Sequence, residues 1–124
     1  MAALIGGTLM LAAPGSALAD DCAALGGTPS PGLCTVNSPV VLVADGIFSL
    51  DNNFLVTGAG SITTNGFDLT INANGNITLD TGAVISADNS GGCPAGNGGN
   101  ITLNADSPDN NLIGDVTTAA GSSI

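Results

Sequence analysis

The pentapeptide "GNITL" stands at residues 75–79 and again at 99–103, a step of 24 residues. Each copy reads as a short strand, Ile and Leu alternating with Thr behind a Gly-Asn turn signal. A strand phrase that returns after about two dozen residues marks a chain that winds back to the same angular position. On that reading Ile77 stacks on Ile101 and Leu79 on Leu103, with Thr78 and Thr102 outside. Other pairs echo the step: Leu55 precedes Ile77 by 22 residues and Ile62 precedes Ile85 by 23.

Outward from the repeat, the chain is a series of β-prone runs at 40–44, 47–50, 54–57, 61–64, 68–71, 76–79, 83–87, 100–105 and 112–118. Between them lie "DG", "DNN", "GAG", "NG", "ANG", "DTG", "DNSGG" and "DSPDNN", all turn chemistry. No window carries a helical period. Three strands and three turns make a unit of about 22–24 residues, the unit of a solenoid. The expected fold is therefore all-β, a right-handed parallel β-helix of about three to four coils. The alternative is an antiparallel meander or sandwich, because "ITTNGFDL" and "INANGNIT" each place Asn-Gly between alternating segments, a hairpin signal. Phe48, Phe54 and Phe67 fall early, where they could plug or cap the first coils.

Composition limits function. The chain has no Lys, Arg or His, and all ten acidic residues are Asp, giving a formal charge of −10. Such a polyanion is repelled by phosphate backbones and by anionic lipid, which excludes nucleic-acid partners and attraction to an anionic membrane surface; no membrane insertion by the mature segment is expected. The 44% hydrophobic fraction argues against disorder.

Residues 1–19 read as an export signal of the Sec type. The run "MAALIGGTLMLAA" is shorter than the roughly 20 residues of a membrane span. Pro14-Gly15 breaks it, and Ala17-Leu18-Ala19 supplies the small–x–small pattern before a cut that leaves Asp20 first. The segment lacks an opening Lys or Arg, so a start upstream of Met1 is expected. Cysteines fit an oxidising compartment. Cys22 and Cys34 flank the Gly/Pro-rich "AALGGTPSPGL" and are expected to pair, pinning residues 20–38 as a loop or cap before the coils of 39–124. Closing a loop of that length contributes ~3 kcal/mol in the chain-entropy model. Cys93 is left over.

No residue announces a reaction. Asp20-Asp21, the one adjacent carboxylate pair, sits at the expected cut, and without His, Lys, Arg, Glu or Tyr acid–base work falls on Asp alone. The chain is read as non-enzymatic, with no cofactor. Calcium is the alternative, since Asp80, Asp88, Asp106, Asp109 and Asp115 lie at oxygen-rich turns. Yet "GNGGNITLN" places Ile101 where a calcium repeat has its ligand Asp. Thr78 and Thr102, sharing a face, would make only a two-member ladder for ordering water as ice-binding arrays do. The sequons at Asn76 and Asn100 are read as turn-to-strand residues.

The stretch "GSITTNGFDLTINANGNITLDTGAVISADNSGG…GNGGNITLNA" resembles the repeat region of secreted bacterial β-helix proteins, the filamentous-haemagglutinin-like and autotransporter-passenger adhesins. The resemblance covers residues 46–105 and rests on the G-N-I-T-L and N-G-x-D-L-T-I phrases. It implies a secreted or cell-surface adhesive shaft, with glycans or a host or neighbouring cell surface as partner and residues 88–98 as a presented loop. More coils are expected beyond Ile124. The second function class is the non-catalytic N-terminal part of a polysaccharide-degrading β-helix enzyme.

Overall fold

The structure, a computed structural model, describes residues 20–88, 98–107 and 114–124. Expectations for residues 1–19, Cys93 and Asp109 lie outside these residues. The elements in chain order are α1 (Cys22–Leu25), β1 (Thr28–Ser30), β2 (Leu33–Val36), β3 (Pro39–Val41), β4 (Gly46–Leu50) and β5 (Asn53–Val56). They continue with β6 (Ser61–Thr63), β7 (Leu69–Ala73), β8 (Ile77–Leu79), β9 (Val84–Ser86), β10 (Ile101–Asn104) and β11 (Val116–Thr118). The fold is all-β with parallel and mixed sheets.

From β2 onward the chain visits three sheets in rotation. The orders are β1-β2-β5-β8-β11, β3-β6-β9 and β10-β7-β4, so each strand meets the strand three places on. Every such pair is parallel; β1 on β2 is the antiparallel exception among the described residues. The antiparallel meander is therefore ruled out for the body of the chain. Asn65 and Gly66 do take left-handed φ values of 54° and 88°. That turn joins β6 to β7, which lie in different sheets, so the Asn-Gly chemistry makes a corner and not a hairpin.

Registers build columns of like side chains. Cys34, Phe54, Ile77 and Val116 follow one another through β2, β5, β8 and β11, with Val36, Val56 and Leu79 beside them. Ile62 lies on Ile85, the pair spaced by 23 residues in the sequence. Leu69 and Ile71 of β7 lie between β4 and β10. Phe54, Ile62, Leu69, Ile71 and Ile77 are all 0% exposed and belong to one core. Each such burial stabilises by about 1.5–3 kcal/mol before chain entropy is counted.

The repeated phrase itself does not stack. Ile77 lies on Phe54 and under Val116, whereas Ile101 lies on Leu69 in another sheet, and Leu79 and Leu103 are separated likewise. Leu55 faces Thr78 and not Ile77. The cause is visible in the corner residues. The step is 23 residues from Asp45 to Asp68 but 32 from Asp68 to Asn100. It is 23 from Asn53 to Asn76 but 39 from Asn76 to Asp115. Extra residues enter between β9 and β10 and again between β10 and β11, so a 24-residue step that crosses the first insertion ends two strands on, in a different sheet.

The N-terminal region is more structured than a pinned loop. Cys22 and Cys34 are bonded, with Cα atoms 5.6 Å apart and both side chains buried. The bond ties α1 to β2, and α1 seats Leu25, 1% exposed, against the core. Gly27 runs so close to the bond that a Cβ there would lie 2.8 Å from the Cys34 sulfur. The helix ends at Gly26, whose φ of 97° is left-handed.

Candidate functional site

The most regular polar surface lies on the sheet of β4, β7 and β10. Because alternate residues of a strand face opposite ways, burying Leu69, Ile71 and Ala73 turns Thr70 and Asn72 outward. By register, Ile47, Thr70 and Thr102 form one row across the three strands, and Ser49, Asn72 and Asn104 form the next. A third row, Asp45, Asp68 and Asn100, stands at the corner just before the strands. Parallel strands set neighbours in a row about 4.8 Å apart and successive rows about 6.6 Å apart.

Side chains lock these rows to the backbone. The Asp45 carboxylate accepts the Asp68 N–H at 2.9 Å, and the Asp68 carboxylate accepts the Asn100 N–H at 2.8 Å and its Nδ2 at 3.3 Å. Asn104 Nδ2 donates to Asn72 Oδ1 at 2.8 Å. A parallel ladder runs on a second corner, where Asn53 Oδ1 accepts the Asn76 N–H at 2.8 Å and Asn76 Oδ1 accepts the Asp115 N–H at 2.9 Å. Each carboxylate or amide thus satisfies a donor one circuit on, which fixes the height of the next strand. Asn76 and Asn100 immediately precede β8 and β10 and carry these bonds.

The first insertion leaves the fold beside this face. Gly99 N–H donates to the Ala87 carbonyl at 3.1 Å and closes its base. A Cβ on Gly99 would overlap the Phe67 carbonyl, so only glycine lets the returning chain dock there. Asp88 and Gly98 bracket the insertion; the residues between lie outside the described ones. The second insertion returns at Gly114, where a Cβ would lie 2.5 Å from the Asp106 nitrogen.

The other sequence candidates are dispersed. Thr78 lies between Leu55 and Thr117, in a different sheet from Thr102, so the two threonines share no face. Thr102's true neighbour is Thr70. Asp80 binds the Thr81 N–H at 2.7 Å, and Asp106 is buried at 7% exposure with a left-handed φ of 58°. Among the described residues no group of three His, Cys, Asp or Glu is arranged to hold a metal ion. Asp20 and Asp21 approach Asp51: burial, then these two carboxylates, raises the Asp51 pKa above its ordinary value.

An open depression of about 390 Å³ lies beside α1, lined by Leu25, Gly26, Val40, Leu42 and Phe48. Val41, Val43 and Ile47 are exposed near it. No helix among the described residues is long and apolar enough to cross a membrane.

The sequence reading passed over Asp45, Asp68, Thr70, Asn72 and Asn104. A signal existed for the first two, an Asp 23 residues apart before each of two alternating apolar runs. Chemically the face offers hydroxyls, amides and carboxylates with no cation, which suits a neutral, hydroxyl-rich ligand better than an acidic one. Neither a family model, nor a curated protein, nor a solved structure matches the chain.

Proposed function

We propose that the chain is a right-handed parallel β-helix segment of a secreted or cell-surface protein, exported by a Sec-type signal, whose role is structural and adhesive and not catalytic. The observation that carries this reading is the registered return of each strand onto the strand three places earlier, kept even where the corner step grows from 23 to 32 and 39 residues. The right hand is supported by the general preference of β–crossover–β connections within one sheet for that hand. The Cys22–Cys34 bond suits an oxidising compartment outside the cytosol. A stiff stack with insertions closed at their bases is a form that holds loops at a distance from an anchoring surface.

The partner fitted to the β4–β7–β10 face and the adjoining insertion is a neutral surface glycan. The test is retention of the chain on a printed panel of neutral and acidic glycans, with and without Ca²⁺. Binding to neutral glycans, weakened when Thr70→Val and Thr102→Val are combined, is expected. Retention on no glycan, or equal retention by the double variant and by a variant with residues 88–98 replaced by Asn-Gly, would remove the adhesive reading.

A further inference from the structure

The polar groups of the β4–β7–β10 face are not equally committed. In the corner row, the Asp45 and Asp68 carboxylates each spend an oxygen on a backbone N–H of the next circuit. The row of Ser49, Asn72 and Asn104 differs. There Asn104 Nδ2 donates to Asn72 Oδ1 at 2.8 Å, so the two amides hold each other in place. The bond leaves Asn72 Nδ2 and Asn104 Oδ1 with no protein partner among the described residues.

A side-chain amide carries two N–H donors and a carbonyl with two lone pairs. The pair therefore presents a free donor on β7 and a free acceptor on β10, one strand spacing of about 4.8 Å apart. Solvent reaches both, since Asn72 is half-buried and Asn104 exposed. The row of Thr70 and Thr102 lies alongside, about 6.6 Å away along the strands, and adds two hydroxyls. These groups stand on a sheet face and use no strand edge. Coils stacked beyond β10 would lengthen the face and leave it open, because strands add along the stack and not over it.

We infer that the Asn72–Asn104 pair reads the acetamido group of a neutral N-acetylhexosamine. The inference rests on the glycan reading of this face and adds the class of sugar to it. A secondary amide holds its C=O and its N–H on opposite sides of a rigid plane. The acetamido carbonyl would accept from Asn72 Nδ2 and its N–H would donate to Asn104 Oδ1. The sugar ring then lies over the Thr70–Thr102 row, where the two hydroxyls meet its own. A plain hexose offers a hydroxyl at that position, which pivots about one oxygen and cannot span both amides. Because the two asparagines are already held by their mutual bond, little ordering is lost on binding. Charge narrows the class further. Acidic sugars meet a chain of formal charge −10 with no side-chain cation to pair with them. A deacetylated, cationic hexosamine would be held by charge and released by salt.

The probes are the β-1,4-linked tetrasaccharides of N-acetylglucosamine and of glucose, titrated in high salt into the isotopically labelled, disulfide-bonded full chain. The N-acetylated probe should bind about three- to tenfold more tightly, the size of one net hydrogen bond. It should also shift the side-chain amide signals of Asn72 and Asn104. Asn72→Asp keeps an oxygen for Asn104 Nδ2 and removes the free donor, so it should bring the two probes to near-equal affinity while the backbone signals of β7 persist. Asn53→Asp, an equal charge change on another sheet, should leave the preference unchanged. Equal binding of the two probes by the unaltered chain overturns the inference and leaves the neutral-glycan reading standing. Binding of neither overturns it as well, whereas the wider reading falls only if the whole neutral panel is also silent. A preference that survives Asn72→Asp, or shifts centred away from β7 and β10, overturns it too.

Discussion

Phe54 is wholly buried between Cys34 and Ile77, and its column shows how depth in the stack sets the value of a side chain. Ile77 is 0% exposed in mid-column, while Ile101, in the same five-residue phrase, is only half-buried on an edge strand. Ile77→Ala should therefore cost about 2–5 kcal/mol, and Ile101→Ala clearly less, because a half-buried site loses less apolar area and leaves no sealed cavity. Urea melts of the two variants check this; equal losses would show that both sites are equally enclosed. Asp51 is a second single-residue test. Its carboxyl titrates above the ordinary 3.8 because burial and then Asp20 and Asp21 disfavour the charge. The folded state thus holds this proton more tightly than the unfolded one. Its contribution to stability falls as pH rises through the window just above 3.8 and returns on acidification. Asp51→Asn should raise Tm at pH 7 and lose that advantage at pH 3, as thermal melts at the two values would record.

At the scale of elements, α1, β1 and β2 depend on one covalent bond. The Cys22–Cys34 link spans 12 residues; cutting it releases about 3 kcal/mol of chain-entropy restraint. Reduction, or Cys22→Ser with Cys34→Ser, should lower Tm and speed hydrogen exchange in α1 and β1 before the central strands β5 to β8. Uniform acceleration along the chain would mean that the cap and stack unfold as one unit. The bond was legible in the sequence because only two cysteines bracket a Gly/Pro-rich stretch. The helix and hairpin inside it were not, since Gly26, Gly27, Pro29 and Pro31 read locally as turn. Strand positions were legible from β-branched runs between turn residues, often within a residue or two of the observed bounds. Their register was not. "GNITL" reports what a strand after a corner uses here, a close-fitting Gly, an Asn whose N–H is taken by a side chain one circuit earlier and two inward aliphatics. The phrase meets that need on two different sheets, so its identity carried no information about angle.

For the whole molecule, charge and stacking pull in opposite directions. Ten carboxylates without a single side-chain cation repel one another across a narrow body, and salt screens such repulsion over about 10 Å at 0.1 M. Tm should rise as NaCl is raised from about 10 to about 500 mM, which shortens the screening length several-fold. A falling Tm would show that the aspartates are held mainly by the backbone donors of the corner ladders, and that repulsion is secondary. The face on β4, β7 and β10 was hidden from the sequence for a related reason: Thr70 meets Thr102, and Asn72 meets Asn104, only across the 32-residue step that the first insertion creates.

Glycine at 99 and at 114 lets the chain rejoin the stack after each detour, so strand spacing does not depend on how long the detour is. Lengthening a closed detour costs only about 0.6 kcal/mol per doubling. Foreign peptides grafted at these two corners should thus be carried sideways from a column whose internal spacing they do not disturb, one on each side of β10. The molecule is in that respect a ruler with two hooks, whose hooks can be exchanged without redrawing the scale.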